Sequence, residues 1–249
     1  MRPRFYCGMD HCSDADRVPR SCISVRTIRK RKGGFNPSKR GWIMDSGAFT
    51  EISTHGCYVT SHDEYGRDIN RWHSAVPGLQ AAVAQDWMCE DFILEKTGKT
   101  ISEHQSLTVE SYDEVLRRVR KAYLMPVLQG YEPREYLHHL SMYGSRLKRG
   151  AWVGVGSLCK RNIRPSAISD VLGPIKRHRP DLKLHGFGIK TTSLQDELVS
   201  DLLWSCDSMA WSFAARMEGR NQHSPLEAIR FVEKISKLPI QRHLFGIGT

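Results

Sequence analysis

No apolar run in the 249-residue chain approaches the ~20 residues needed to cross a membrane as a helix. The opening stretch, MRPRFYCGMDHC, lacks the apolar centre of a secretion signal. Together these absences set aside an integral membrane protein and a secreted one, so a cytoplasmic location is expected. Cysteines are few and odd in number, seven in all, which argues for reduced thiols rather than a disulfide framework. Cys7, His11, Cys12 and Cys22 are spaced C-x4-C and C-x9-C, unlike the paired knuckles of zinc sites, and no metal centre is expected there. There is also no repeat, low-complexity tract or Pro/Ser-rich linker, so residues 1–249 read as one domain. Acidic residues are in deficit, 27 against 37 Lys and Arg, for a formal charge of +10. That balance favours a polyanionic partner, nucleic acid before membrane, because no basic amphipathic helix stands out.

What is present is a series of eight short apolar runs at fairly even spacing. They are RFYCGM (4–9), SCISV (21–25), GWIMDSG (41–47), QAAVAQD (80–86), LMPVLQG (124–130), WVGVGS (152–157), LKLHGFG (182–188) and DSMAWSF (207–213). Each is apolar almost throughout rather than alternating, as parallel strands covered on both faces are. Helix starts fall between several of them. Ser61 with Glu64, Ser111 with Glu114, and Ser224 with Pro225 and Glu227 read as capped N-termini. Leu226, Ile229, Val232, Ile235 and Leu238 keep helical spacing and predict an inward face on the last helix. The spacing of Val115, Leu116 and Val119 predicts the same for Ser111 to Lys121. The pattern is that of an α/β protein, a (β/α)8 barrel irregular at its N-terminus, with a doubly wound open sheet as the alternative.

Polar or glycine residues follow these runs: Asp45, Asp86, Gln129-Gly130, Gly156-Ser157 and His185-Gly186. In such barrels the C-terminal ends of the strands carry the active site. Turns use the same residue types, so each taken singly also fits a strand running into a loop. Asp207 equally fits a strand-capping role after Cys206, and His185 a packed core histidine. Trp87 and Trp211 read as core or pocket wall. Residues 26–41, RTIRKRKGGFNPSKRG, hold seven basic side chains and no acid: Arg26, Arg29, Lys30, Arg31, Lys32, Lys39 and Arg40. Lying just before the Asp45 strand, they are expected to border the barrel mouth and contact phosphates. RLKRG (146–150), KRNIR (160–164) and KRHR (176–179) fit phosphate contacts and solvated loops equally well.

In their order and spacing MDSGAF, AQDWM, PVLQGY, VGVGSL, LHGFGIK and CDSMAWSFAAR resemble the tRNA-guanine transglycosylase superfamily. The stretches QDWMCEDFILEKTGKTISEHQ and LHGFGIKT resemble its DNA-modifying, DpdA-type branch. The resemblance spans about Phe5 to Arg216 and implies exchange of guanine in DNA for a 7-deazaguanine. It implies Asp207 as the nucleophile, Asp45 as general acid/base, and Asp86, Gln129, Gly130, Gly156 and Ser157 as base-binding positions. Phe49 and His185 fall where the family holds the base between side chains. The tRNA enzymes carry a cysteine-rich zinc subdomain after the nucleophile, whereas no cysteine follows Cys206 here. The expectation is therefore a barrel without that subdomain, without metal or organic cofactor, acting on DNA with a free 7-deazaguanine as co-substrate. A separate strand-opening partner remains open. A non-catalytic binder of DNA or deazaguanine, an enzyme acting on tRNA, and a metal-dependent nuclease are the competing readings.

Overall fold

A computed structural model describes residues 2–239. Nine strands run parallel: β1 (Arg4–Met9), β2 (Ser21–Ser24), β3 (Trp42–Asp45), β4 (Leu79–Val83), β5 (Leu124–Met125), β6 (Val127–Leu128), β7 (Trp152–Val155), β8 (Lys183–Gly186) and β9 (Ser205–Ser208). Their order is β5-β4-β3-β2-β1-β9-β8-β7-β6. The order starts and ends on two halves of one segment, broken at Pro126. Proline has no N–H for the ladder, yet its carbonyl still accepts from Gly154 N at 2.8 Å. The sheet is thus a nearly closed TIM-like α/β barrel with helices between its strands, as the run spacing predicts. No zinc subdomain is seen among the described residues.

Strand alternation sorts the side chains. Tyr6, Cys22, Ile43, Ala81, Val83, Met125, Val127 and Trp152 pack together inside the barrel. Their neighbours Cys7, Ile23, Met44, Leu184 and Cys206 face the surrounding helices. The same period turns Asp45, two residues beyond Ile43, inward at the C-terminal rim. On β9 it turns Ser205 and Asp207 inward and Cys206 outward. Tyr6 pairs in register with Asp207, and Ser24 with Asp45.

Three local expectations need correction. Ser61 does cap the helix His62–Ala75 in a reciprocal box with Glu64. Ser111, however, lies buried within the helix Ile101–Leu116, whose box is formed by Thr100 and Glu103. The same Ser/Thr-x-x-Glu spacing occurs twice there, and the upstream copy starts the helix; Leu116 ends it, exposed. In the last helix, Pro225–Lys237, Ile235 and Leu238 are buried, whereas Leu226 is exposed and Ser224 makes no side-chain cap bond. The final strand begins at Ser205, and most of the run 207–213 belongs to the helix Ala210–Met217. Trp211 of that helix donates from Nε1 to Gly8 O at 2.8 Å, tying it to β1.

Candidate active site

A cavity of about 550 Å³ opens at the C-terminal ends of the strands. That volume lies within the usual range for small-molecule sites. Asp45, Asp86 and Asp207 all line it, together with Gln129, Gly156, Ser157 and Phe49. Five carboxylates, those of Asp10, Asp45, Asp86, Glu90 and Asp207, face it among the described residues, with no Lys, Arg or His. In a chain carrying +10, this is a local inversion of charge.

Asp45 ends β3 and is held by its own turn, where Gly47 N donates to Oδ2 at 2.9 Å. Gly47 takes φ 77°, and a Cβ there would meet the Arg26 stem at 2.9 Å, so the turn needs glycine twice over. Burial is the main force on the Asp45 carboxyl and the charge of Asp207 adds to it, raising the pKa to about 6 despite the Gly47 bond. Asp86 sits in the loop after β4. Burial and the nearby Asp45 and Glu90 raise it to about 7, against a hydrogen bond from Gln129. Gln129 Nε2 donates to Asp86 Oδ2, and Gln129 Oε1 accepts from Ser157 Oγ at 2.9 Å. The Gln129 amide lies over Gly156, where a Cβ would stand only 2.2 Å from Nε2. Ser157 holds φ 55°, a left-handed conformation rare for a non-glycine residue and the kind of strain that gathers at functional sites.

Asp207 is reached from below. Trp152 Nε1 donates to Ser205 Oγ at 2.8 Å, Ser205 Oγ meets His185 Nδ1 at 2.9 Å, and His185 Nε2 meets Asp207 Oδ1 at 3.3 Å. With Nε2 donating to the Asp207 carboxylate, Nδ1 is left to accept the Ser205 O–H. Gly188 N also donates to Oδ1 at 3.3 Å. Both donors converge on one oxygen, Oδ1.

Two expected base contacts lie elsewhere. His185 is fully buried and off the cavity wall, 4.8 Å ring to ring from Phe187, which lines the wall instead. Alternation put His185 inside the barrel, but one layer too deep to reach a base face. Gly130 is also off the wall, packed against Glu135 and Tyr136. Phe49 stands at the rim, 56% exposed, edge-on to Phe92.

The basic segment divides. The short helix Val25–Arg29 follows β2 at the mouth, where Thr27 lines the cavity and the Arg26 stem meets Gly47. From there the chain descends to the start of β3, so Lys39 and Arg40 lie at the opposite end, Arg40 beside Phe5 and Arg20. Arg29 is occupied by Asp68 at 2.8 Å and Thr60 at 2.7 Å. The Arg31 guanidinium donates to Gly34 O, and Lys30 and Lys32 are exposed. Of the seven, only Arg26 is placed at the mouth by its contacts.

Cys7, Cys12 and Cys22 are free and buried. The described group able to hold a metal is Asp10, His11 and His223, whose ligand atoms lie within 4.8 Å of one another. Asp10 Oδ2 is already taken by His223 Nδ1. No helix of the described residues is long and apolar enough to cross a membrane.

No sequence motif marks Ser205, Trp152, Glu90 or Phe187 as site residues, although Ser205 lies two residues before Asp207 on the same face. Compared with known proteins, residues 1–232 match the model of a family described as DpdA, DeoxyPurine in DNA protein A. A search among curated proteins found no match.

Proposed function

The chain belongs to the DpdA family, which implies a DNA-modifying, transglycosylase-type enzyme, and on that premise we propose that it exchanges guanine in DNA for a 7-deazaguanine by double displacement. The observation that carries this reading is the convergence of Asp45, Asp86, Gln129 and Asp207 on one cavity.

Breaking the bond from C1′ to N9 builds positive charge on the sugar, and a carboxylate beside C1′ stabilises it. Asp207 attacks through Oδ2, the C1′–N9 bond breaks, and guanine leaves with a proton from Asp45. Asp45 then takes the N9 proton of the incoming base, N9 attacks C1′, and the aspartyl ester breaks to free Asp207. Two inversions give net retention, which in retaining glycosidases places the two carboxylates about 5 Å apart. Asp86 accepts the N–H groups of a guanine-like edge, a donor pattern that cytosine and thymine lack. A site built on buried acceptors rejects ligands that leave them unpaired. Gln129 stands beside the same edge, and Phe49 offers a stacking face at the rim.

His185 serves this chemistry as a positioning residue. Its N–H, with that of Gly188, orients Oδ1 and steadies the carboxylate when the ester breaks. His185→Phe is expected to lower kcat by about 10²-fold with little change in KM for DNA. His185→Gln, which keeps an N–H donor, should recover part of the loss. Equal losses for both variants, or a change confined to KM, would remove this role.

The decisive test incubates the protein with DNA containing labelled guanine and with candidate 7-deazaguanines, then digests the DNA and identifies its nucleosides. Label release that requires an added base supports exchange; release into water indicates a glycosylase. A chelator should leave the rate unchanged, while strand cleavage abolished by the chelator would support the nuclease reading.

A further inference from the structure

The loop after β7 joins two opposite features. Asn162 is buried, and its side chain makes four hydrogen bonds. Its Nδ2 donates to Cys159 O at 2.7 Å and Gly188 O at 2.9 Å, and its Oδ1 accepts from Lys190 N at 2.7 Å and Ser193 Oγ at 3.0 Å. Cys159 and Gly188 both line the active-site cavity, so Asn162 pins this loop to the mouth. The next residue, Ile163, is 94% exposed. Single exposed apolar side chains are ordinary, but this one is a stiff β-branched residue on an anchored backbone beside the site.

Its surroundings are cationic and aromatic. Lys160 and Arg164 are exposed on the same loop. Lys160 Nζ stands 5.6 Å over the Phe92 ring, and the Arg161 guanidinium 4.9 Å over Tyr131. Phe92 in turn meets Phe49. Cations interleaved with aromatic faces suit a phosphate backbone and unstacked bases, and the acidic cavity behind them does not compete for phosphate.

We propose that this loop is the face on which duplex DNA docks, with Ile163 entering the base stack to fill the gap left by a flipped guanine. The inference rests on the base-exchange reading, because the target's C1′ is shielded while the base remains stacked and paired. Apolar wedges of this kind unstack base steps in other DNA-bending proteins. The exposed Lys160 and Arg164 hold the flanking phosphates, and Asn162 supplies the rigidity an inserted side chain needs.

The test compares Ile163→Ala with the unaltered protein on one sequence presented as duplex, as single strand, and as duplex with the target guanine mispaired. On the duplex the variant should lose about tenfold or more in kcat/KM, since the flipped state there loses the side chain that fills the stack. On the single strand and the mispaired duplex it should stay within about twofold, because little unstacking remains to be done. Equal losses on all three substrates, no loss on the duplex, or no activity of the unaltered protein on duplex would overturn the proposal. No exchange on any substrate, single strand included, would instead defeat the base-exchange reading. Binding then still tests the wedge: duplex carrying 2-aminopurine beside the target should brighten with the unaltered protein and not with Ile163→Ala. Brightening by both would overturn it.

Discussion

Asp207→Asn is expected to abolish base exchange, by at least about 10³-fold in kcat, while leaving the protein folded and able to bind DNA. The amide keeps an oxygen for Gly188 N and His185 Nε2, so no buried donor is orphaned; Ala would orphan both at about 1–3 kcal/mol. What the amide loses is nucleophilicity and the charge opposite the developing oxocarbenium ion. The readout is twofold. Labelled guanine release should vanish, and so should any denaturation-resistant protein–DNA adduct that the unaltered protein forms when no incoming base is supplied. An Asp207→Asn protein that still releases guanine at more than a few per cent of the normal rate would remove the double-displacement mechanism.

Asp86→Asn should be more stable than the natural protein at pH 8 yet nearly inactive. The folded protein holds the Asp86 proton up to about 7, whereas an unperturbed carboxyl titrates near 3.8. Between those values the folded state binds more protons than the unfolded chain, so stability falls as pH rises through the window. Asn carries no charge to bury, and the recovered stability at pH 8 is of the order of 2–4 kcal/mol, shrinking toward zero near pH 4. Thermal unfolding at both pH values measures it; an equal gain at pH 4 and pH 8 would disprove the electrostatic cause. Activity moves the other way. Asp86 must be ionised to accept the base's N–H groups, and Asp45 must be protonated to assist departure. With Asp45 at about 6 and Asp86 at about 7, the productive form is a minority species. kcat/KM should be bell-shaped with apparent limbs near those values, which belong to the coupled pair rather than to either residue alone. The stability cost of Asp86 thus sits where the site needs an acceptor kept out of water.

How much of this was legible beforehand varies by residue. Asp45 and Asp86 were marked as strand-end carboxylates, Asp207 by its place in CDSMAW. Strand period then tells which face each occupies. Period says nothing of depth: His185 and Asp207 both point inward, but one is buried beneath the other, and the sequence pattern reads them alike. The Ser111 helix start failed because a cap motif is local and recurs, while the helix is decided by which copy precedes the buried stripe of His104, Gln105, Thr108 and Val109. The basic run 26–41 is split between the two ends of the barrel for a topological reason. A segment joining two parallel strands must travel the length of the barrel, so contiguous charges end on opposite faces.

By itself the sequence determined a parallel α/β sheet, because runs apolar on both faces, each followed by polar residues and helical stretches, need helices on their outer side; near-closure into a barrel rather than an open doubly wound sheet came from the structure. It also determined which acids stand at strand ends. Only the tertiary structure decided that Trp152, Ser205 and His185 line up beneath Asp207 and that Asn162 holds Ile163 out beside the mouth. It also decided that charge reverses between cavity and rim. Those relations join residues far apart along the chain, and they exist only once closure of the sheet sets their distances and their dielectric surroundings.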